Sequence, residues 1–153
     1  MKIEIKSRWN ASILFSIETE TLKLALEAAV KKGADLRGAD LRGARNDFFS
    51  LLIYSIPEIP ALKQAVLDGK INGSVYAGEH AGDCACLVGT LEKSKRFKAE
   101  YGTLLRNSSR PIEKLFLAIK KGDTPETNQI SKIVLEWIED FEKHLVKIKE
   151  QIA

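Results

Sequence analysis

Cysteine is scarce in this chain, with only Cys84 and Cys86 among 153 residues. Thiols one position apart are poorly placed to staple a fold, so no disulfide scaffold is expected. Long apolar runs are missing as well. The longest uncharged apolar stretch, from Phe48 to Pro57, spans ten residues, well short of the roughly 18 that a membrane crossing needs. The start, Met1-Lys2-Ile3-Glu4, has no signal-peptide core, and a cytoplasmic location is expected. No glycine-rich phosphate loop, HExxH pair or serine-triad order occurs. With 44% hydrophobic and 29% charged residues, the composition is that of one globular domain covering residues 1–153.

The net charge of +3 hides an uneven distribution. Residues 93–121 hold nine basic and two acidic side chains, whereas residues 1–92 are nearly balanced and residues 122–153 carry a small acidic excess. Basic blocks of this kind either mark an anion-binding face or are solvated surface.

Periodicity organises the chain. Ile3 and Ile5, then Ile13, Phe15 and Ile17, alternate with polar or smaller residues around a turn at Trp9-Asn10-Ala11-Ser12, which predicts a β-hairpin. Leu22, Ala25, Leu26, Ala29 and Val30 follow at helical spacing and end at Lys31-Lys32-Gly33. Phe48 to Ser55 reads as a buried strand, followed by a helix over 61–67 started by Pro57 and Pro60. Asn72-Gly73 reads as a turn between two short strands. Beyond Cys84 the pattern fits a strand or a helix equally. Ile112, Leu115, Phe116 and Ile119 then form a helix behind Pro111, and Thr124-Pro125 starts a long final helix, giving a C-terminal helical pair over 111–153. In that last helix Val134, Ile138, Phe141, Leu145, Ile148 and Ile152 recur at alternating spacings of four and three, a pattern suited to a coiled-coil seam or to antiparallel packing on the preceding helix. The expected fold is α+β, a single domain. It comprises an N-terminal β-hairpin and helix, a short repeat-like strand segment, a small central sheet and two C-terminal helices.

The strand segment spans residues 34–46 and contains the one internal repeat, Ala34-Asp35-Leu36-Arg37-Gly38 followed by Ala39-Asp40-Leu41-Arg42-Gly43. A five-residue period with Ala and, two later, Leu resembles the pentapeptide-repeat family, whose square β-helix turns the small residue and the Leu inward. Two complete repeats are half of one coil of such a helix, so no free-standing solenoid forms here. Glu4-Ile5-Lys6 through Leu14-Phe15-Ser16, together with the repeat, is similar to the start of pentapeptide-repeat proteins of bacteriophages and prophages. Ile71-Asn72-Gly73-Ser74, Cys84-Ala85-Cys86-Leu87-Val88-Gly89-Thr90, Ser108-Ser109-Arg110-Pro111 and Gly122-Asp123-Thr124-Pro125 are similar to the rest of the same phage proteins. The resemblance implies a phage-encoded protein in a host bacterial cell, acting against a host defence. The gyrase-inhibiting DNA mimicry of some members does not carry over, because Arg37, Arg42 and Arg45 offset Asp35 and Asp40.

Three constellations carry chemistry. Glu79-His80-Ala81-Gly82-Asp83-Cys84-Ala85-Cys86 gathers five potential metal ligands, but the C-x-C spacing has only His144 as a distant partner, and two small buried thiols are the plainer reading. Asp83-Cys84-Ala85-Cys86-Leu87-Val88 resembles the nucleophile motif of cell-wall cysteine peptidases, with His144 as the distant base. The third is the basic block. Lys95, Arg96 and Arg106 lead into Ser108, Ser109 and Arg110 at a helix start, where free N–H groups, hydroxyls and a guanidinium suit a phosphate. The expected function is therefore non-enzymatic: capture of a phosphate-bearing nucleotide signal through Lys95, Arg96, Arg106, Ser108, Ser109 and Arg110, with no cofactor and no metal. The alternative is an inhibitor that sets the same basic face on an acidic host protein such as a nuclease or CRISPR-type effector, and a cysteine hydrolase comes third. A homo-oligomer joined through the C-terminal helix is expected, with no membrane partner.

Overall fold

Alternation of apolar and charged residues at the N-terminus produces two antiparallel strands, β1 (Lys2–Lys6) and β2 (Ile13–Glu18), with Ile3 opposite Ile17 and Ile5 opposite Phe15. In the computed structural model, which describes residues 1–20, 22–32, 34, 36, 41–73, 86–94, 107 and 109–153, this hairpin is the one sheet among the described residues. The turn is tied internally. Asn10 Oδ1 accepts from the Ser12 N–H at 3.1 Å, Ser7 Oγ accepts from the Trp9 N–H at 3.2 Å, and Ala11 takes a left-handed φ of 57°. Short polar side chains bonding to nearby backbone are what stabilise such a turn. On the outer face the ammonium groups of Lys2 and Lys6 flank Glu4 and hold its carboxyl below the usual carboxylate range, first through the hydrogen bond from Lys2.

Six α-helices follow among the described residues: α1 (Leu22–Lys31), α2 (Arg42–Ile53), α3 (Ile59–Leu67), α4 (Leu87–Ser94), α5 (Pro111–Phe116) and α6 (Gln129–Ile152). The run read as a buried strand, Phe48 to Ser55, is helical and belongs to α2. The buried residues of α2 are Ala44, Phe48, Leu51 and Leu52, one helical stripe, while Ile53 and Tyr54 face solvent. A strand would have turned alternate residues inward. The repeat-like strand segment expected over 34–46 is helical from Arg42 on, where α2 begins, and of its earlier residues the described ones, Ala34, Leu36 and Leu41, do not lie in a strand. Ala34 and Leu36 are held by one amide on α6: Gln129 Oε1 accepts from the Leu36 N–H at 2.9 Å, and Gln129 Nε2 donates to the Ala34 carbonyl at 2.7 Å. Leu36 is buried in the core. Residues 74–85, where the second strand of the expected central sheet falls, lie outside the described residues. The open choice after Cys84 resolves as helix α4.

Two turns lock the middle of the chain. A short 3-10 turn, Ile56–Glu58, leads into α3, which ends on Gly69 with a left-handed φ of 66°. The Gly69 carbonyl then accepts from the Gly122 N–H at 2.8 Å, and the Gly73 N–H donates to the Ile119 carbonyl at 3.0 Å. Gly73 is required there, because a Cβ would lie 2.0 Å from the Phe116 carbonyl oxygen.

The final helix starts later than Thr124-Pro125 predicts. Residues 124–127 form a turn, and the Asn128 side chain caps α6 by accepting from the N–H groups of Ile130 and Ser131 at 2.8 and 3.1 Å. Its proximal half buries Ile130, Ile133, Val134, Ile138 and Phe141, and nothing beyond Phe141 is buried. Lys63 of α3 ties to Glu142 at 2.8 Å and Glu139 at 3.6 Å, and these carboxylates, Glu142 first, hold its ammonium above the usual lysine range. α2 packs on α5, α3 on α4 and α6, and α1 on α5 and β2. One apolar cluster contains residues from β1 and all six helices, with Phe48 against Phe116 and Trp137 near its centre. The chain is thus a small α+β domain with a long C-terminal helix.

Candidate functional site

The sequence Ser108-Ser109-Arg110-Pro111 does begin a helix. Proline drives the preceding residue to extended backbone, and Arg110 sits at the N-cap of α5 with φ −65° and ψ 130°. The first-turn N–H groups of a helix lack intrahelical acceptors. Here the Ile112 N–H donates to Asp47 Oδ2 at 3.1 Å, and Arg110 Nε stands 3.3 Å from Asp47 Oδ1. The carboxylate of an α2 residue therefore stands where a bound anion was expected, and it engages both the guanidinium and a backbone donor. Asn107 completes the cap: its N–H donates to Glu113 Oε1 and its Oδ1 accepts from the Ser109 N–H, both at 3.0 Å. Of the six expected site residues the structure places Ser109 and Arg110 together here. Lys95, Arg96, Arg106 and Ser108 lie outside the described residues.

A different group of arginines borders a recess at the start of α2. Arg42 and Arg45 come from the first turn of α2, Arg8 from the hairpin turn, and Glu136 and Trp137 from α6, around a cavity of about 80 Å³ floored by Leu36 and Ile133. The helix begins there at Leu41 with no side-chain cap and no acidic residue in its first turn, so its positive end adds to the guanidinium charge. Arg45 is partly engaged: its guanidinium pairs with Asp140 and lies 4.3 Å from the centre of the Phe49 ring. Arg8 stacks on Trp9 at 4.6 Å. Hydrogen-bond donors in planar forks beside apolar walls that lower the local dielectric are attributes that suit a compact oxyanion.

The thiol and histidine readings divide in the same way. His80, Asp83 and Cys84 lie outside the described residues. Cys86 is a buried free thiol before α4, and its sulfur accepts from the Gly89 N–H at 3.5 Å. His144 is exposed on α6, its Nδ1 bonded to the Asp140 carbonyl at 2.7 Å and its ring edge-on to Phe49. Among the described residues no three His, Cys, Asp or Glu side chains group as metal ligands, and no helix is long and apolar enough to cross a membrane.

The sequence reading does not include Arg8, Arg42, Arg45 or Trp137 among the site residues, although the i, i+3 spacing of Arg42 and Arg45 is a signal once residues 42–53 are known to be helical. No family model, curated protein or solved structure matches this chain.

Proposed function

We propose that the chain is a non-enzymatic binding protein that captures a small phosphate-bearing ligand, in the setting its resemblance to phage proteins implies: withdrawal of a nucleotide signal from a host defence. The observation that supports this reading is the arginine recess at the start of α2, lined by Arg8, Arg42 and Arg45 together with Glu136 and Trp137. Arg110 takes no direct part in it, because Asp47 already satisfies that helix start. Calorimetry with inorganic phosphate tests the proposal. The parent protein binds, Arg8→Ala loses about ten-fold or more in affinity, as expected for a charge-assisted contact, and Arg110→Ala binds as the parent does. Failure of the parent to bind phosphate, or loss of binding in Arg110→Ala alone, sinks it.

A second reading, a protein-interaction inhibitor that works as a homo-oligomer, is favoured by the distal half of α6. The four-three stripe that buries Val134, Ile138 and Phe141 continues into Ile148 and Ile152, and Ile152 is 81% exposed. A second copy of this helix laid antiparallel covers that stripe and brings Glu142 toward Lys149 of the other copy, since like heptad positions face one another in that orientation. In this reading the basic block that the sequence concentrates over 93–121 is what meets an acidic host protein. Ile148→Asp with Ile152→Asp separates assembly from folding, because both positions are exposed. Light scattering shows the parent as an oligomer and the double variant as a folded monomer; a monomeric parent removes this reading.

A further inference from the structure

A hairpin of two strands has two outer edges, and here they differ. α1 packs on β2, whereas β1 pairs with β2 alone among the described residues. The ladder fixes which groups β1 presents on its free side. The Met1 carbonyl accepts from the Thr19 N–H at 2.9 Å, the Met1 ammonium donates to the Thr19 carbonyl at 3.1 Å, and the Ser7 N–H donates to the Ser12 carbonyl at 2.8 Å. Bonded and non-bonded pairs alternate along an antiparallel ladder. Ile3 and Ile5 therefore bond to β2, while the N–H and C=O groups of Lys2, Glu4 and Lys6 point away from it. The side chains of these three residues share one face in the order ammonium, carboxylate, ammonium, with Glu4 2.8 Å from Lys2 and 3.3 Å from Lys6. Both lysines are exposed. An ammonium has three donors and a carboxylate about four acceptor sites, so these contacts leave bonding capacity on all three side chains.

We infer that β1 docks an extended segment of another protein whose residues run acidic, apolar, basic, apolar, acidic. The segment adds a strand to the sheet, its main chain bonding to the outward groups of Lys2, Glu4 and Lys6. Its acidic residues face Lys2 and Lys6, its basic residue faces Glu4, and its apolar residues continue the side of the sheet that Ile3 and Ile5 occupy. Lysines on an edge work against indiscriminate pairing, and like charges directly opposite are destabilising, so the three side chains select by charge order. A second copy of β1 laid antiparallel in full overlap sets Glu4 against Glu4 and Lys2 against Lys6, and the edge rejects itself in that register. This docking rests on the reading of the chain as a protein that holds another protein, and names the chemistry of the segment held; the α6 contact between copies is a separate surface.

The experiment titrates the protein with the end-blocked peptide Thr-Glu-Val-Lys-Val-Glu-Thr and with its charge-inverted form Thr-Lys-Val-Glu-Val-Lys-Thr, reading backbone amide signals by NMR. The first peptide shifts the N–H signals of Lys2, Glu4 and Lys6, and the inverted peptide binds about ten-fold more weakly, as expected for three cross-strand charge pairs. Glu4→Lys weakens binding of the first peptide and transfers the preference to Thr-Glu-Val-Glu-Val-Glu-Thr, which sets a carboxylate opposite every lysine. A hairpin merely unfolded by the substitution would bind neither, so the transfer separates recognition from folding. Absence of binding, equal binding of the first two peptides, or signals that move elsewhere and not in β1 overturn the docking edge, and the α6 reading keeps its own test by light scattering. A monomeric parent that still prefers the first peptide removes the α6 contact and keeps the edge.

Discussion

Two helix starts in this molecule carry arginine and differ in what meets it. At α5 the guanidinium of Arg110 and the N–H of Ile112 both reach Asp47, a carboxylate supplied by α2. At α2 itself no side chain caps the first turn, and Arg42 and Arg45 gather with Arg8 around a recess. The same local ingredients, a helix dipole and a planar donor fork, make a closed structural joint in one place and a candidate anion site in the other. What differs is how the carboxylate is used: at α5 Asp47 takes both the guanidinium and a backbone N–H, whereas at α2 Asp140 pairs with Arg45 and no side chain caps the helix.

Removing the Asp47 carboxylate is the most direct way to break the comparison. Asp47→Ala leaves the Ile112 N–H and the Arg110 guanidinium without their partner and costs about 2 to 3 kcal/mol of stability. Asp47→Asn, which keeps an acceptor and drops the charge, recovers part of it. Urea titration reads both, and a neutral Asp47→Ala would show that α5 does not depend on this joint. A third helix start sharpens the contrast, because α6 carries its own cap. Asn128→Ala removes the acceptor for two N–H groups and the donor to the Ala118 carbonyl, and lowers stability by about 1 to 2 kcal/mol in the same assay.

The reverse change installs at α2 what α5 already has. Gly43 lies in the first turn of α2, and a Cβ there meets nothing within 4 Å. Gly43→Asp adds a carboxylate to the positive end of the helix and removes a flexible residue, for a gain of about 0.5 to 1 kcal/mol. The same carboxylate repels an anion from the recess, so phosphate binding weakens as stability rises. A variant that is more stable and binds phosphate as the parent does would detach the recess from the proposed function.

The smallest effect is at the surface contacts between α3 and α6. Lys63→Met removes the contacts to Glu139 and Glu142, and exposed pairs of this kind contribute a few tenths of a kcal/mol. The ammonium is held above the usual lysine range, Glu142 first among the causes. Its contribution is therefore complete below that range and is lost as pH rises through the raised value. Parent and variant should differ slightly at neutral pH and converge in strong alkali.

The elements that could be read along the chain are those whose signals are local. Strict alternation in Ile3, Ile5, Ile13, Phe15 and Ile17 marked the hairpin, and Pro111 with Ile112, Leu115 and Phe116 marked α5. Phe48 to Ser55 failed for a physical reason: six of its eight residues are apolar or aromatic, so neither a period of two nor one of 3.6 stands out, and a buried strand and a half-buried helix look alike. Only Ile53 and Tyr54 on the solvent side distinguish them. Pro125 is the louder signal and points to a start of α6 four residues early, although Asn128 makes the capping bonds. The apolar stripe of α6 was legible as a stripe, but its division into a buried half and an exposed half depends on where its neighbours end.

Local signals suffice for an α+β chain with a hairpin at one end and a long amphipathic helix at the other, because propensity, capping and hydrophobic period act over a few residues. Tertiary structure decided the chemistry of the helix starts. Asp47 and Arg110 are 63 positions apart, and Arg8 reaches the recess from a turn more than 30 residues before Arg42. A charge acts on whatever lies within a few ångströms of it, and distance in space is a property of the packed core. Whether a given arginine closes a joint or faces an open recess is therefore written in no short stretch of the chain.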